Sequence, residues 1–444
     1  MTIKKVGTKK NDGYLLWKKA LKVMPGGGQL VSKRSEMFLP EGWPSYYKKA
    51  KGIEVWDLSG NKYLDFSIMG VGCCLLGYAD EDVNNAVKGA IDNGSMSTLN
   101  CPEEVELAQL LLSLHKWAQM VRFARTGGEA MSIAVRTARA YSKKDKIAFC
   151  GYHGWSDWYL AANISSNKNL DGHLLPGLDP AGVPRALIGT ALPFRYNHIE
   201  DLENILSKNS IGVIVLEPLR HDEPKNRFLQ KVRRLADKYH AVLIFDEITI
   251  AWRLNLGGVH LKYNVAPDIA VLGKAMSNGF AMSAILGKKG YMDAANKSFI
   301  SSTYWTERVG TVAAISTILK MRKVGLADVI CKTGTKLMEG LEKLAAKHNI
   351  KLKLEGPPAM IGLNFDYGET SQAVMTLYTM EMLKRDFLAG NLIYVTYAHK
   401  KIYLKKYFKA CDDVFAIIKR ALDDGRVMEL TNGKIARSGF RRLT

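Results

Sequence analysis

Ala241-Val-Leu-Ile-Phe-Asp246-Glu247 and Pro267-Asp268-Ile-Ala-Val-Leu-Gly273-Lys274 decide how this chain is read. In each, a short apolar run ends on an ionisable residue. Ala241 to Phe245 leads to Asp246, and Ile269 to Leu272 leads, after one glycine, to Lys274. Apolar runs of this length, rich in Val and Ile, predict strands buried on both faces, the pattern of a parallel sheet. Open α/β sheets gather their ligands at the carboxyl ends of such strands. An acid and an amine are therefore expected to face one site.

Around these two runs strand and helix alternate. Short strands are expected at 121–123, 146–150, 211–216 and 283–286, with helices at 128–142 and 226–239. This alternation predicts a mostly parallel central sheet wrapped by helices. Residues 154–195, with many Gly, Pro, Ser and Asn, read as a long excursion over the site. Upstream, a polar tail and an amphipathic helix run to about residue 24, where Pro25-Gly-Gly-Gly28 stops them. Ser59-Gly60-Asn61 turns a hairpin, and helices follow at 81–93 and 103–114. Beyond Thr311 the texture changes. Helices at 312–323, 327–348, 372–385 and 412–422 mix with strands at 351–354, 361–365 and 392–395, a smaller α+β domain. The expected division is an N-terminal segment 1–75 packing with that small domain, a large α/β domain 76–320, and the small domain 321–444.

Composition narrows the classes. The chain has 444 residues, 47% hydrophobic and 24% charged, which is ordinary for a globular protein. The first ten residues lack the apolar segment of a secretory signal, and no run of 18 apolar residues suggests a membrane span. Cys73, Cys74, Cys101, Cys150, Cys331 and Cys411 form no C-x-x-C pair. They read as reduced thiols in a cytoplasmic protein, with no disulfide frame and no zinc spacing. The net charge of +20 is mostly scattered lysine without an Arg-rich block. It reads as a solvated surface, with steering of an anionic substrate as the alternative, rather than as a nucleic-acid footprint.

The remaining motifs fall at strand ends. Thr126-Gly127-Gly128 opens a helix, where two glycines let backbone N–H groups and the helix dipole meet a phosphate. Tyr152 follows the next strand and suits stacking on a ring, with half-buried packing as the plainer reading; His153 beside it reads equally as structural. Glu217 ends another strand as a site acid or a loop acid. Asp246, at a buried strand end, needs a partner: a protonated pyridine nitrogen, or more simply Arg253. Lys274, flanked by apolar and small residues, has the setting of an imine-forming lysine. An amine for the aldehyde and an acid for the ring nitrogen together suit pyridoxal 5′-phosphate.

These residues carry a resemblance. Trp56-Asp-Leu-Ser-Gly-Asn-Lys-Tyr-Leu-Asp65, Arg125-Thr-Gly-Gly-Glu-Ala-Met-Ser-Ile-Ala-Val-Arg136, Tyr152-His-Gly, Leu216-Glu-Pro, Phe245-Asp-Glu-Ile, Pro267 to Lys274 and Ser302-Thr303 stand in the order of the class III, fold type I, pyridoxal phosphate-dependent aminotransferases. The chain most closely resembles their glutamate-1-semialdehyde aminomutase-like branch. The resemblance implies that Lys274 forms the Schiff base and shuttles the proton, and that Asp246 pairs with the pyridine nitrogen. It places Tyr152 and Ile248 on the two ring faces, Gly127 and Gly128 on the phosphate, and Glu217 near the cofactor. It also implies a homodimer in which Thr303 contacts the phosphate from the neighbouring subunit. The implied activity moves an amino group from a small-molecule donor to a carbonyl acceptor, such as a small aldehyde, a keto acid or a sugar-linked carbonyl, by way of a pyridoxamine form.

The chain departs from that branch where substrate is bound. Lys33 and Arg34 lie near the place of its carboxylate-binding arginine. Ser67-Ile68-Met69-Gly70 stands where it has a tryptophan. Leu392 to Ala398-His399 lacks its glutamate, leaving His399 as a substrate candidate. These departures argue against glutamate-1-semialdehyde as substrate. A 2,1-aminomutase and a catalytically silent interaction protein remain the rival readings.

Overall fold

A computed structural model describes residues 11–166, 168–173 and 176–439; residues 1–10 of the polar tail and helix expected to about residue 24 lie outside the described residues. Asp12–Val23 is the expected first helix, capped by the Asn11 side chain and ended at Met24 before the Pro25–Gly27 turn. Three antiparallel strands follow, β1 (Tyr47–Lys51), β2 (Glu54–Asp57) and β3 (Lys62–Phe66), with the hairpin turn at residues 58–61.

The central sheet is built from β4 (Met120–Ala124), β5 (Lys146–Cys150), β6 (Ala191–Pro193), β7 (Ile211–Leu216), β8 (Val242–Asp246), β9 (Ile269–Leu272) and β10 (Ser283–Gly287). Its order is β4-β10-β9-β8-β7-β5-β6. The pairs from β6 to β9 are parallel, and β10 runs antiparallel to both of its neighbours. Side-chain parity explains why the runs are apolar throughout. Val213, Val215, Val242 and Ile244 pack under the helix Gly127–Ser142. Ile214, Leu216, Leu243 and Phe245 pack on the opposite face, over Phe228–Lys238. Asp246 shares the parity of Val242 and Ile244. A one-residue slip would turn its carboxylate into the other core layer.

The C-terminal part holds β11 (Leu352–Glu355), β12 (Met360–Phe365), β13 (Phe387–Ala389) and β14 (Leu392–Tyr394). β11, β12 and β14 form a three-stranded antiparallel sheet. β13 instead pairs parallel with β3, so the N-terminal sheet takes its fourth strand from far downstream. Neither β1 nor β13 was expected. β1 is mostly exposed and polar, and β13 is three residues long, so neither carries a periodic signal. The last long helix spans Lys401–Asp423, well beyond the expected 412–422; its first half buries only Leu404, Tyr407, Ala410 and Cys411 amid lysines. The excursion after β5 contains β6 and short helical turns. Among the described residues, no helix is long and apolar enough to cross a membrane.

Candidate active site

The carboxyl ends of β4, β5, β7, β8 and β9 lie at one edge of the central sheet, because these strands point the same way. At the end of β4, Thr126 caps the helix Gly127–Ser142 in a capping box. Its Oγ1 accepts from the Glu129 amide at 3.3 Å, and Glu129 Oε2 accepts from the Thr126 amide at 2.8 Å. The Ala130 amide goes to the Thr126 carbonyl. Of the first-turn donors, the amides of Gly127 and Gly128 are left, at the positive end of a 16-residue helix. Side chains would crowd them: a Cβ on Gly127 would lie 3.0 Å from Ile248 Cδ1, and one on Gly128 would lie 3.2 Å from Trp155 Nε1. This cradle fits a phosphate.

At the end of β8, the Asp246 carboxylate is buried. Oδ2 lies 2.9 Å from His153 Nδ1, and Oδ1 accepts from the Ile248 amide at 3.1 Å. His153 Nε2 lies 3.2 Å from the Cys150 carbonyl, so the ring is held on both sides. The carboxylate keeps lone pairs for one more N–H, as a protonated pyridine offers. Arg253, the plainer partner considered from the sequence, does not meet Asp246. It donates to the carbonyls of Thr249 and Gly72 and lies over the Tyr394 ring, 4.9 Å from its centroid. The neighbouring Glu247 is clamped separately by the Val259 and His260 amides and His260 Nδ1.

Lys274 follows β9 after one extended glycine. Its φ of +43° is left-handed, a conformation costing roughly 1–2 kcal/mol for a residue with a Cβ. The tight turn Lys274–Ser277, closed by the Met276 amide on the Gly273 carbonyl, holds it there. Its Nζ donates to Thr249 Oγ1 at 2.8 Å. Thr249 was not singled out from the sequence. Its one signal is its place three residues after Asp246, within the turn leaving β8.

Glu217, ending β7, organises the next turn. Its Oε2 accepts from the Tyr152 amide at 3.0 Å, and its Oε1 accepts from Arg220 Nη1 at 2.7 Å. Gly151, at φ +111°, permits this approach, since a Cβ there would fall 2.8 Å from Glu217 Oε2. Tyr152 stands edge-on to Tyr159, and burial raises its phenol pKa. Ile248 packs against Gly127 and Gly273. Thr303 is exposed and starts the turn Thr303–Thr306. That segment is tied to the phosphate cradle by Arg125 Nε on the Tyr304 carbonyl at 2.7 Å and by Trp305 Nε1 on Glu129 Oε1 at 3.3 Å.

The three substrate candidates separate. Burial raises the Cys73 thiol pKa, and the positive charges of Lys274, Arg253 and Lys33 oppose that rise. Arg34 instead covers the glycine turn, where a Cβ on Gly26 would meet its guanidinium. His399 is internal, contrary to the expectation of a substrate contact. Its Nδ1 accepts from the Thr396 amide at 3.0 Å and its Nε2 donates to the Asp65 carbonyl at 3.0 Å. Burial pushes its pKa down to about 4, so both nitrogens are spent on the fold.

An anion cradle, a buried acid with an open lone pair and a positioned amine fit pyridoxal phosphate in its charge, its ring nitrogen and its aldehyde. The family described as Aminotransferase class-III matches residues 40–409. The chain is 31% identical to a 3-aminobutyryl-CoA aminotransferase of Cloacimonas acidaminovorans, over 92% of this chain and 97% of that one. It is 30% identical to a glutamate-1-semialdehyde 2,1-aminomutase of Francisella tularensis, over 90% and 98%. In fold it resembles the pyridoxal phosphate internal aldimine form of the FumI protein of Sphingopyxis sp. MTA144, with a TM-score of 0.84 at 23% identity, covering 93% and 97%. The chain belongs to the class III aminotransferases, with a fold type I architecture and pyridoxal phosphate as cofactor.

Proposed function

We propose that this aminotransferase moves an amino group from a small-molecule amino donor to a carbonyl acceptor, with Lys274 as the proton-transferring amine. The chief support is the convergence of Lys274, the His153-bound Asp246 and the Gly127–Gly128 amides at one sheet edge. Bound pyridoxal phosphate supplies the electron sink that makes the substrate's amine-bearing carbon acidic. Asp246 holds the ring nitrogen protonated, and His153 holds Asp246 in orientation. Tyr152 and Ile248 enclose the two ring faces and keep water from them. Gly127 and Gly128 bind the phosphate. Thr249 keeps Lys274 Nζ directed to the site until substrate arrives, and Nζ then carries the proton to and from the substrate carbon.

The reading includes a homodimer in which Thr303 of one subunit reaches its partner's phosphate. It also includes a cytoplasmic setting, in keeping with six free thiols. The acceptor is a small aldehyde, a keto acid or a sugar-linked carbonyl. The aminobutyryl-CoA relative adds 3-amino acyl compounds as donors to test. The aminomutase relatives make an intramolecular 2,1-transfer the second reading. The deciding experiment loads the protein in its pyridoxamine form and screens carbonyl compounds for return of the aldehyde-form spectrum. Net turnover that consumes no free donor would identify the mutase instead; no spectral response to any compound would end the aminotransferase reading.

A further inference from the structure

Trp155 has no part in the roles above. It is 76% exposed, although the chain on either side of it is fixed. Two residues before it, His153 is held by Asp246 and the Cys150 carbonyl. One residue after it, Ser156 Oγ lies 2.8 Å from Ser132 Oγ, on the second turn of the helix Gly127–Ser142. The backbone between them runs against the phosphate cradle. Gly154 has a φ of +98°, and a Cβ there would lie 3.6 Å from Gly128 Cα. The neighbours of Trp155 therefore deliver its indole to the start of that helix.

The orientation of the indole decides what it can do there. A Cβ on Gly128 would lie 3.2 Å from Trp155 Nε1 and 3.6 Å from Cδ1, so the N–H edge is the part nearest that position. In a helix the Cα–Cβ direction tilts toward the N-terminus. Nε1 therefore stands at the mouth of the cradle, on the side where the Gly127 and Gly128 amides are left open. An indole nitrogen can only donate. Trp305, the other tryptophan beside the cradle, spends its N–H on Glu129 Oε1 at 3.3 Å, whereas Trp155 Nε1 meets no acceptor among the described residues. Residue 128 has no side chain of its own to offer a phosphate, and the indole stands in the room this leaves. A phosphate group carries three strong acceptor oxygens, more than two amides satisfy.

The geometry points to Trp155 as a further ligand of the cofactor phosphate, donating its indole N–H from beside Gly128. This rests on the placement of the phosphate at the Gly127 and Gly128 amides. The test titrates the apoprotein with pyridoxal phosphate and with pyridoxal, which lacks the phosphate, and follows the absorbance of the bound cofactor. It compares wild type with Trp155→Phe, which keeps an aromatic ring without a donor, and with Trp155→Ala. Both variants bind pyridoxal phosphate about 10-fold more weakly and bind pyridoxal as wild type does. Unchanged pyridoxal binding also shows that the variants fold. Inorganic phosphate, competing with pyridoxal phosphate for the apoprotein, loses about the same factor in both variants. A loss confined to Trp155→Ala would overturn the proposal, because it marks the ring as a cover and not as a donor. Equal losses for pyridoxal phosphate and pyridoxal would overturn it as well, since they mark a structural role. So would variants that still prefer pyridoxal phosphate as strongly as wild type does, and that result would leave the glycine cradle standing. A wild-type protein that binds pyridoxal as tightly as pyridoxal phosphate would fail the cradle itself, and the proposal with it.

Discussion

Gly127→Ala sets two magnitudes against each other. Gly127 is the first helical residue of Gly127–Ser142, so alanine should gain up to about 1 kcal/mol of helix stability. Against this, the new Cβ would lie 3.0 Å from Ile248 Cδ1, and then 3.4 Å from Cγ2 and 3.7 Å from Cγ1. Only the first approach is too close, and Cδ1 is the free end of a side chain that can swing aside. The apoprotein should therefore melt at or slightly above the wild-type temperature. The displaced methyl has to go toward the ring face that Ile248 is proposed to cover, because Gly127 and Gly273 back it on the other sides. Cofactor affinity should fall about tenfold, or about 1.4 kcal/mol. Ile248→Val removes Cδ1 and nothing else, so the double variant should return to within roughly threefold of wild type, a coupling expected only of atoms in contact. The assay is equilibrium titration of apoprotein with pyridoxal phosphate, followed by absorbance, beside thermal unfolding of the apo form. If Gly127→Ala leaves affinity unchanged, or if Ile248→Val fails to restore it, the placement of Ile248 under the ring is wrong.

Three further outcomes follow from the geometry. Burial pushes the His115, His173 and His399 pKa values to about 4, below the ordinary 6.5, so unfolding takes up protons and stability falls as pH drops from 6.5 toward 4. His399→Gln should flatten that decline by up to about 3 kcal/mol in denaturant titrations, whereas an unchanged slope would mean His399 titrates normally. His153→Phe takes from the buried Asp246 one of its two hydrogen bonds, a loss of about 2 kcal/mol. For a chain of 444 residues this lowers the calorimetric midpoint of the apoprotein by roughly 2 °C, and no shift would refute the contact. Finally, subunit exchange between Lys274→Ala and Thr303→Val proteins should restore about a quarter of the sites to tight cofactor binding and activity, since one face of each mixed dimer regains both residues; no recovery would exclude a shared site.

The chain's local pattern carried the central sheet because burial on both faces leaves a continuous apolar signature. β7, β8 and β9 are legible as runs, and the residue that breaks each run marks where the strand emerges into the site. Glu217, Asp246 and Lys274 are found in this way, and the glycines before the helix Gly127–Ser142 are found by the donors that a helix start leaves open. Residues whose roles depend on partners distant in the chain were not legible. β13 exists because Phe387–Ala389 meets β3, more than 300 residues earlier. His399 looked like a pocket residue until its two nitrogens were seen to close on Thr396 and Asp65.

The sequence by itself determined the class of fold and the cofactor chemistry, and it singled out the acid and amine proposed to carry it, since these follow from strand-end positions and short-range motifs. The tertiary structure alone decided that Asp246 is held by His153 and not by Arg253, and that Lys274 rests on Thr249. Each of these is a contact between different strand-end loops. Hydrogen-bond direction and distance between loops depend on how the strands are ordered and aligned, and no spacing along the chain encodes that.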